Sequence, residues 1–243
     1  MNDAGTELVT RYFFVHLQKT AGTALLKRLR HHFGPDAVYP RPTEQGTPMA
    51  VLDVDHLCRV DAARPGAYQV LTGHFPLGVI DLLAGPFATF TVLRDPVERV
   101  LSFLRHQREV EPRFAAASLE AVYDDAVSRS GLVDNHMVKM LSLRGSDLTA
   151  GALTPVTVDD AWLHRAEAAL EERIDVMGLQ EHFDVFCQDL ERRFGWDLGP
   201  PLFMNRTSPA VCSDSLRERI TLDNRFDELL YGHAVELWHG RHR

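Results

Sequence analysis

The chain has 243 residues, 45% of them hydrophobic and 25% charged, the balance of a globular protein long enough to bury a core in one domain. That balance excludes disordered and fibrous architectures. Its 26 Lys and Arg residues stand against 34 Asp and Glu, a net charge of -8, which excludes the broad positive field of a nonspecific nucleic-acid binder, so a bound anion must be held by a local site.

Residues 1–10 are polar and acidic, and no apolar run in the chain reaches the roughly 18 residues of a membrane span. A cytoplasmic protein with neither membrane nor nucleic-acid partner is expected. The first apolar run, Tyr12-Phe13-Phe14-Val15, is followed by His16-Leu17-Gln18-Lys19-Thr20-Ala21-Gly22-Thr23-Ala24 and then by Leu25, Leu29 and Phe33 at helical spacing. This pattern predicts a strand, a loop and a helix that begins near Gly22 and ends at Gly34-Pro35. The proline-rich stretch from Pro40 to Pro48 reads as a loop. Strands are predicted over Tyr68 to Thr72 and Thr89 to Leu93, each followed by a segment with a helical start. The clearest start is Asp95-Pro96-Val97-Glu98, where Asp caps, Pro fits the first helical position and Glu98 completes a capping-box-like pattern.

Further helices are expected over Leu119 to Val127, Asn135 to Leu143, Val158 to Glu171, Phe183 to Phe194 and Phe226 to Trp238, with a short strand at Val176 to Leu179. Cys58, Cys187 and Cys212 form no C-x-x-C pair and read as reduced, mostly buried thiols. Strands alternating with helices predict a single α/β domain over 1–243. Its architecture is a three-layer α/β/α sandwich with a central parallel sheet, and its functional site lies at the carboxyl ends of the strands.

Chemistry is concentrated at two of those ends. In the first loop, small residues let backbone N–H groups approach a ligand, Lys19 supplies charge, and the helix that follows points its positive end at the same place. Taken alone, the segment is either a phosphate cradle or a plain strand-to-helix turn with a solvated lysine, since the nucleotide pattern G-x-x-x-x-G-K-[ST] is absent. The third strand ends in Arg94 beside a second helix N-terminus, and Ser102, about two turns on, returns to the face from which that helix starts. A nucleoside triphosphatase commonly presents an Asp for magnesium where Arg94 stands. Two anion sites without an evident metal ligand suit a nucleotide phosphorylated at both its 5' and 3' positions. The other basic residues of the second helix, Arg99, Arg105, His106, Arg108 and Arg113, are interrupted by Glu98, Glu109 and Glu111 and read as a solvated face.

These segments resemble the sulfotransferases that use 3'-phosphoadenosine-5'-phosphosulfate (PAPS), within them the branch of the uronosyl 2-O-sulfotransferases and their bacterial relatives. Val15 to Thr23 is similar to the family's 5'-phosphosulfate loop, H-x-P-K-T-A-G-T, with Gln18 in place of the usual proline. Val92 to Ser102 is similar to its 3'-phosphate motif, and Thr72-Gly73-His74 to the stretch carrying its catalytic histidine. Weaker similarity extends to Gly178 to Asp184 and to Asn205-Arg206-Thr207. Asn135 and Lys139 stand where the family has a polar helix motif, with lysine in place of the usual arginine, and their role is left open.

The resemblance implies a P-loop-NTPase-like sulfotransferase fold and transfer of a sulfuryl group from PAPS, with PAP as product and no metal, to a hydroxyl of a carbohydrate or small-molecule acceptor. Lys19 would contact the bridging and sulfonate oxygens. Gln18, Thr20, Ala21, Gly22, Thr23 and Ala24 would hold the 5'-phosphate, Arg94 and Ser102 the 3'-phosphate, with Arg206 and Thr207 nearby, and His74 would be the base. Two alternatives stay open: a nucleotide phosphotransferase of related fold, and a noncatalytic PAP-binding protein.

Overall fold

In a computed structural model of the chain, the described residues are 11–125, 129–148, 151–201 and 212–243. Among them five strands, β1 (Arg11–Val15), β2 (Val38–Tyr39), β3 (Val70–Gly73), β4 (Phe87–Leu93) and β5 (Val176–Leu179), form one sheet in the order β2-β3-β1-β4-β5. Every pairing is parallel, so each strand ends at the same edge of the sheet. The first helices are α1 (Gly22–Phe33), α2 (Pro48–Leu52), α3 (Val54–Ala63), α4 (Pro96–Val110) and α5 (Leu119–Tyr123). After them come α6 (His136–Ser142), α7 (Asp160–Glu172), α8 (Phe183–Phe194), α9 (Asp214–Asp223) and α10 (Arg225–Arg241).

Side-chain alternation along the strands builds the layers. Phe14, Phe90, Val92 and Val176 face Leu25, Leu26 and Leu29 of α1 and Phe186, Cys187 and Leu190 of α8. Phe186 packs where a Cβ on Gly178 would lie only 2.4 Å from its ring, so α8 sits close on β5 because that position has no side chain. Phe13, Val15, Leu71, Leu93, Met177 and Leu179 face the opposite way, against α6, α7 and α10 through Met137, Met140, Leu163, Ala166, Leu170 and Leu230. A third cluster joins α4 to α5 and α9 through Phe103, Leu104, Val122, Tyr123, Leu216 and Ile220. The fold is thus the expected three-layer α/β/α arrangement around a parallel sheet.

Local chemistry explains the boundaries. Gly34 ends α1 at φ 82, a conformation other residues reach only with strain. Asp95 caps α4 by accepting from the Glu98 N–H at 2.9 Å, with Pro96 in the first turn. The box is only half built, because the Glu98 carboxylate pairs with Arg217 at 3.0 Å and Arg105 at 3.8 Å instead. After β3 the expected helix is a 3-10 segment, Leu77–Leu82, in which Gly78 fits tightly under the Leu143 carbonyl. Three helices and a strand escape the sequence pattern: α2 has only five residues, α9 is weakly amphipathic, β2 is only two residues long, and α3, though ten residues long and amphipathic, is absent from the expected helices. The helix expected over Leu119 to Val127 stops at Tyr123, and residues 126–128 lie outside the described residues.

All three cysteines are free, but only Cys187 is buried; Cys58 and Cys212 are half-buried. The charged C-terminal segment is the end of α10, where His242 stacks on Trp238 at 4.4 Å and meets Asp189 at 2.8 Å. No helix among the described residues is long and apolar enough to cross a membrane.

Candidate functional site

Strand register places the site. Val15 of β1 is paired with Gly73 of β3 on one side and Thr91 of β4 on the other, so the residues that leave these three strands emerge together. His16 and His74, each next after a paired residue, lie side by side with ring centroids 4.4 Å apart. The Nδ1 atom of His74 is 3.1 Å from the His16 carbonyl oxygen. A carbonyl only accepts, so Nδ1 carries the proton and Nε2 keeps its lone pair. The His74 N–H also donates to the Val51 carbonyl at 2.7 Å, which ties α2 to the strand end.

The loop between β1 and α1 is braced from within and from β4. The Thr20 hydroxyl is buried and donates to the Leu17 carbonyl at 2.8 Å. Arg94, just past β4, donates to the Lys19 carbonyl at 3.0 Å. Lys19 and Ala21 adopt left-handed backbone conformations, φ 68 and φ 71, which turn successive N–H groups toward a common concavity of the kind that binds anions. Ala21 is the N-cap residue of α1, yet no side chain caps this helix end and no acidic residue lies in its first turn, leaving the positive end of a 12-residue helix open. Gly22 is required by packing: a Cβ there would fall 1.8 Å from Nε2 of His16. The imidazole lies over that glycine, and the spacing from His16 to Gly22 reflects the contact.

Of the expected loop residues, Lys19 and Gln18 are half-buried, Gly22 and Ala24 buried, and Thr23 exposed. The Thr20 hydroxyl holds the loop's own backbone in this structure, so its contribution to an anion runs through its N–H.

The electrostatics are those of crowded cations. Burial lowers the Lys19 pKa, Arg94 and Arg105 lower it further, and Glu109 partly offsets them. Burial likewise lowers Arg94, with Arg105 adding to the effect against Glu98; its Nε is buried and unpartnered. His74 is held below the ordinary histidine range by burial and by Lys19, against the pull of the His16 carbonyl. His16 lies well below that range through burial, His74 and Lys19. Both imidazoles are therefore neutral at neutral pH, and a multiply charged anion would relieve the repulsion among the cations.

The basic stretch of α4 is not a uniformly solvated face. Arg99 is fully buried and donates to the carbonyls of Leu132 at 3.2 Å and Val133 at 2.7 Å. Ser102, Arg105 and His106 are half-buried and, with Glu109, recur at helical spacing on one stripe. Lys19 lowers the pKa of His106 after burial, and Glu109 raises that of Lys19, which places this stripe toward the loop. The three- and four-residue steps from Ser102 were the available signal; alternation of charge along the sequence masked it.

Asn135 and Lys139 take part in an interior network. The Asn135 side chain accepts from the N–H groups of Phe226 and Asp227 at 3.0 and 3.2 Å. Lys139 is fully buried and donates to the carbonyls of Gly131, Ala152 and Thr154. Asn205, Arg206 and Thr207 lie outside the described residues. Among the described residues no group of three or more His, Cys, Asp or Glu side chains is placed to hold a metal ion.

No protein-family model matches the sequence, and no curated protein matches it significantly. Among solved structures, the chain is similar to a sulfotransferase from Alicyclobacillus acidocaldarius, with 17% identity, a TM-score of 0.51, and 94% of this chain and 96% of that one covered. The chain has a sulfotransferase-like fold. The likeness spans nearly the full length of both chains.

Proposed function

We propose that the chain is a PAPS-dependent sulfotransferase acting on a hydroxyl of a carbohydrate or small molecule. The observation that carries this reading is the convergence at one sheet edge of an open helix N-terminus, two cations joined through the Lys19 carbonyl, and a histidine with a free Nε2. The motif resemblance and the fold likeness support the same reading. Bound at this edge, the nucleotide would supply the sulfuryl group.

The protein's own groups supply positioning, charge and a proton acceptor. The N–H groups from Gln18 to Thr23 and the helix end hold the 5'-phosphate, with the Thr23 hydroxyl at its exposed side. The expected contact of Ala24 is not supported, because its N–H donates to the Ala21 carbonyl at 3.0 Å. Arg94 and Ser102 hold the 3'-phosphate as a charge-assisted pair. The Lys19 ammonium neutralises charge that gathers on the leaving oxygen, where a preformed cation contributes most. His74 accepts the acceptor's hydroxyl proton at Nε2, its ring held by the Nδ1 contact with the His16 carbonyl. An imidazole lowered below its usual range stays unprotonated at neutral pH, the state a base requires.

Calorimetry with PAP in the absence of magnesium, followed by mass spectrometry of products from PAPS and a panel of hydroxyl acceptors, tests the reading. Micromolar or tighter PAP binding, with transfer lost in folded His74→Ala, is expected. Magnesium-dependent ATP consumption without a response to PAP would instead identify a phosphotransferase. PAP binding with no transfer to any acceptor would identify a binding protein.

A further inference from the structure

His136 opens α6 with its side chain fully buried, and neither ring nitrogen has a hydrogen-bond partner. A neutral imidazole carries one N–H and one lone pair, and leaving either unmet in an interior is a cost that opposes folding. An apolar side chain of similar size would avoid that cost, so packing alone does not account for an imidazole here. Buried polar groups that burden stability are found where function needs them.

The charged and titratable groups around His136 belong to or follow five elements. Arg99 projects from α4, Lys139 stands one turn along α6, and His74 and His16 leave β3 and β1; after burial, these groups hold His136 well below its ordinary range. Asp227 of α10 faces Arg99 and Lys139 and completes the set. The helix carrying His136 packs against the 3-10 segment that follows His74. His136 thus shares one interior with the two strand-end histidines, near enough for their charges to act on it.

We propose that His136 is a positioning residue for His74, hydrogen-bonded through ordered water to the His16 imidazole and so holding in place the His16 carbonyl that keeps His74 Nδ1 protonated and Nε2 free. A buried water needs two or more polar partners, and a ring nitrogen of His136 together with the His16 imidazole provides them. The proposal rests on His74 being the base, and its test separates the two ideas.

The experiment compares His136→Phe and His136→Asn with the native full-length chain. It measures thermal unfolding, PAPS turnover against pH, and the imidazole nitrogen resonances of His74 with PAP bound. His136→Phe is expected to unfold at the native temperature or above it. Turnover should fall about tenfold, as misplacement of a reacting group does, at an unchanged KM for PAPS, while the His74 resonances lose their single-tautomer pattern and the acid limb of the pH profile moves. His136→Asn, which keeps a donor and an acceptor, should recover most of the turnover. Should phenylalanine prevent folding, His136→Met serves the same purpose. Native turnover, pH profile and His74 resonances in a folded apolar variant would overturn the proposal. Absence of PAPS turnover in the native chain would defeat the functional reading, while the resonances would still decide whether His136 sets the His74 tautomer.

Discussion

Lys19 with Arg94, and Lys139 with Arg99, are two lysine–arginine pairs in one chain put to opposite uses. Lys139 donates to three backbone carbonyls and Arg99 to two. Asp227, fully buried, offsets the charge of both, and its carboxylate accepts from the N–H groups of Met137 and Val138 at 3.1 and 2.9 Å. All five hydrogen bonds from Lys139 and Arg99 end on the protein's own backbone, although the Arg99 Nε is itself buried without a partner. Arg94, by contrast, spends one donor on the Lys19 carbonyl, and both of its companions, Lys19 and Arg105, press its charge against theirs. The difference lies in the surroundings of each cation: the interior pair gives its donors to carbonyls of the fold, whereas the strand-end pair stands beside an uncapped helix N-terminus, where the proposed function would place an anion.

Removing the counter-charge from the interior pair should have the largest effect. Asp227→Ala takes from Arg99 and Lys139 the buried carboxylate that acts on both more strongly than Asp134 does, and is expected to cost about 3–5 kcal/mol, read as a fall in the urea midpoint. Unchanged stability would break the distinction between the pairs. Lys19→Ala should do the reverse, leaving the midpoint within about 0.5 kcal/mol of the native chain while PAPS turnover falls about 100- to 1000-fold. Gly22→Ala tests the strand-end loop without altering a charge. Its Cβ would drive the His16 ring away, at an expected cost of about 1–3 kcal/mol together with weaker PAP binding by calorimetry.

The same contrast governs what could be read before the fold was seen. The sheet was legible because its strands are runs such as Phe87 to Leu93, buried on both faces, and α4 because Asp95-Pro96 announces it. Lys19, Arg94 and His74 were legible as strand-end residues beside glycines and caps, features local in sequence. The interior pair was not. Arg99 lies seven positions before His106 on the same basic stretch, and only the carbonyls of Leu132 and Val133, more than 30 positions away, make it a core residue. His136 was missed for a similar reason, since its neighbours come from β1, β3 and α4, and no short motif records them.

The pairs should also part on alkaline titration. Burial, with Arg99 next, brings the Lys139 ammonium down to about 8, whereas an unfolded lysine titrates at about 10.4. Between those values the unfolded chain binds the additional proton, so stability rises with pH across that window, because the folded interior is relieved of a charge the unfolded chain still carries. The gain attributable to Lys139 between pH 8 and 9 is about 1 kcal/mol. Urea unfolding of the native chain and of Lys139→Met at both pH values isolates it, since every other group that titrates there is common to both. The native chain should gain stability relative to the variant as the pH rises. Parallel curves would mean that Lys139 keeps its proton through the window, held by the carbonyls and Asp227 more strongly than burial opposes it.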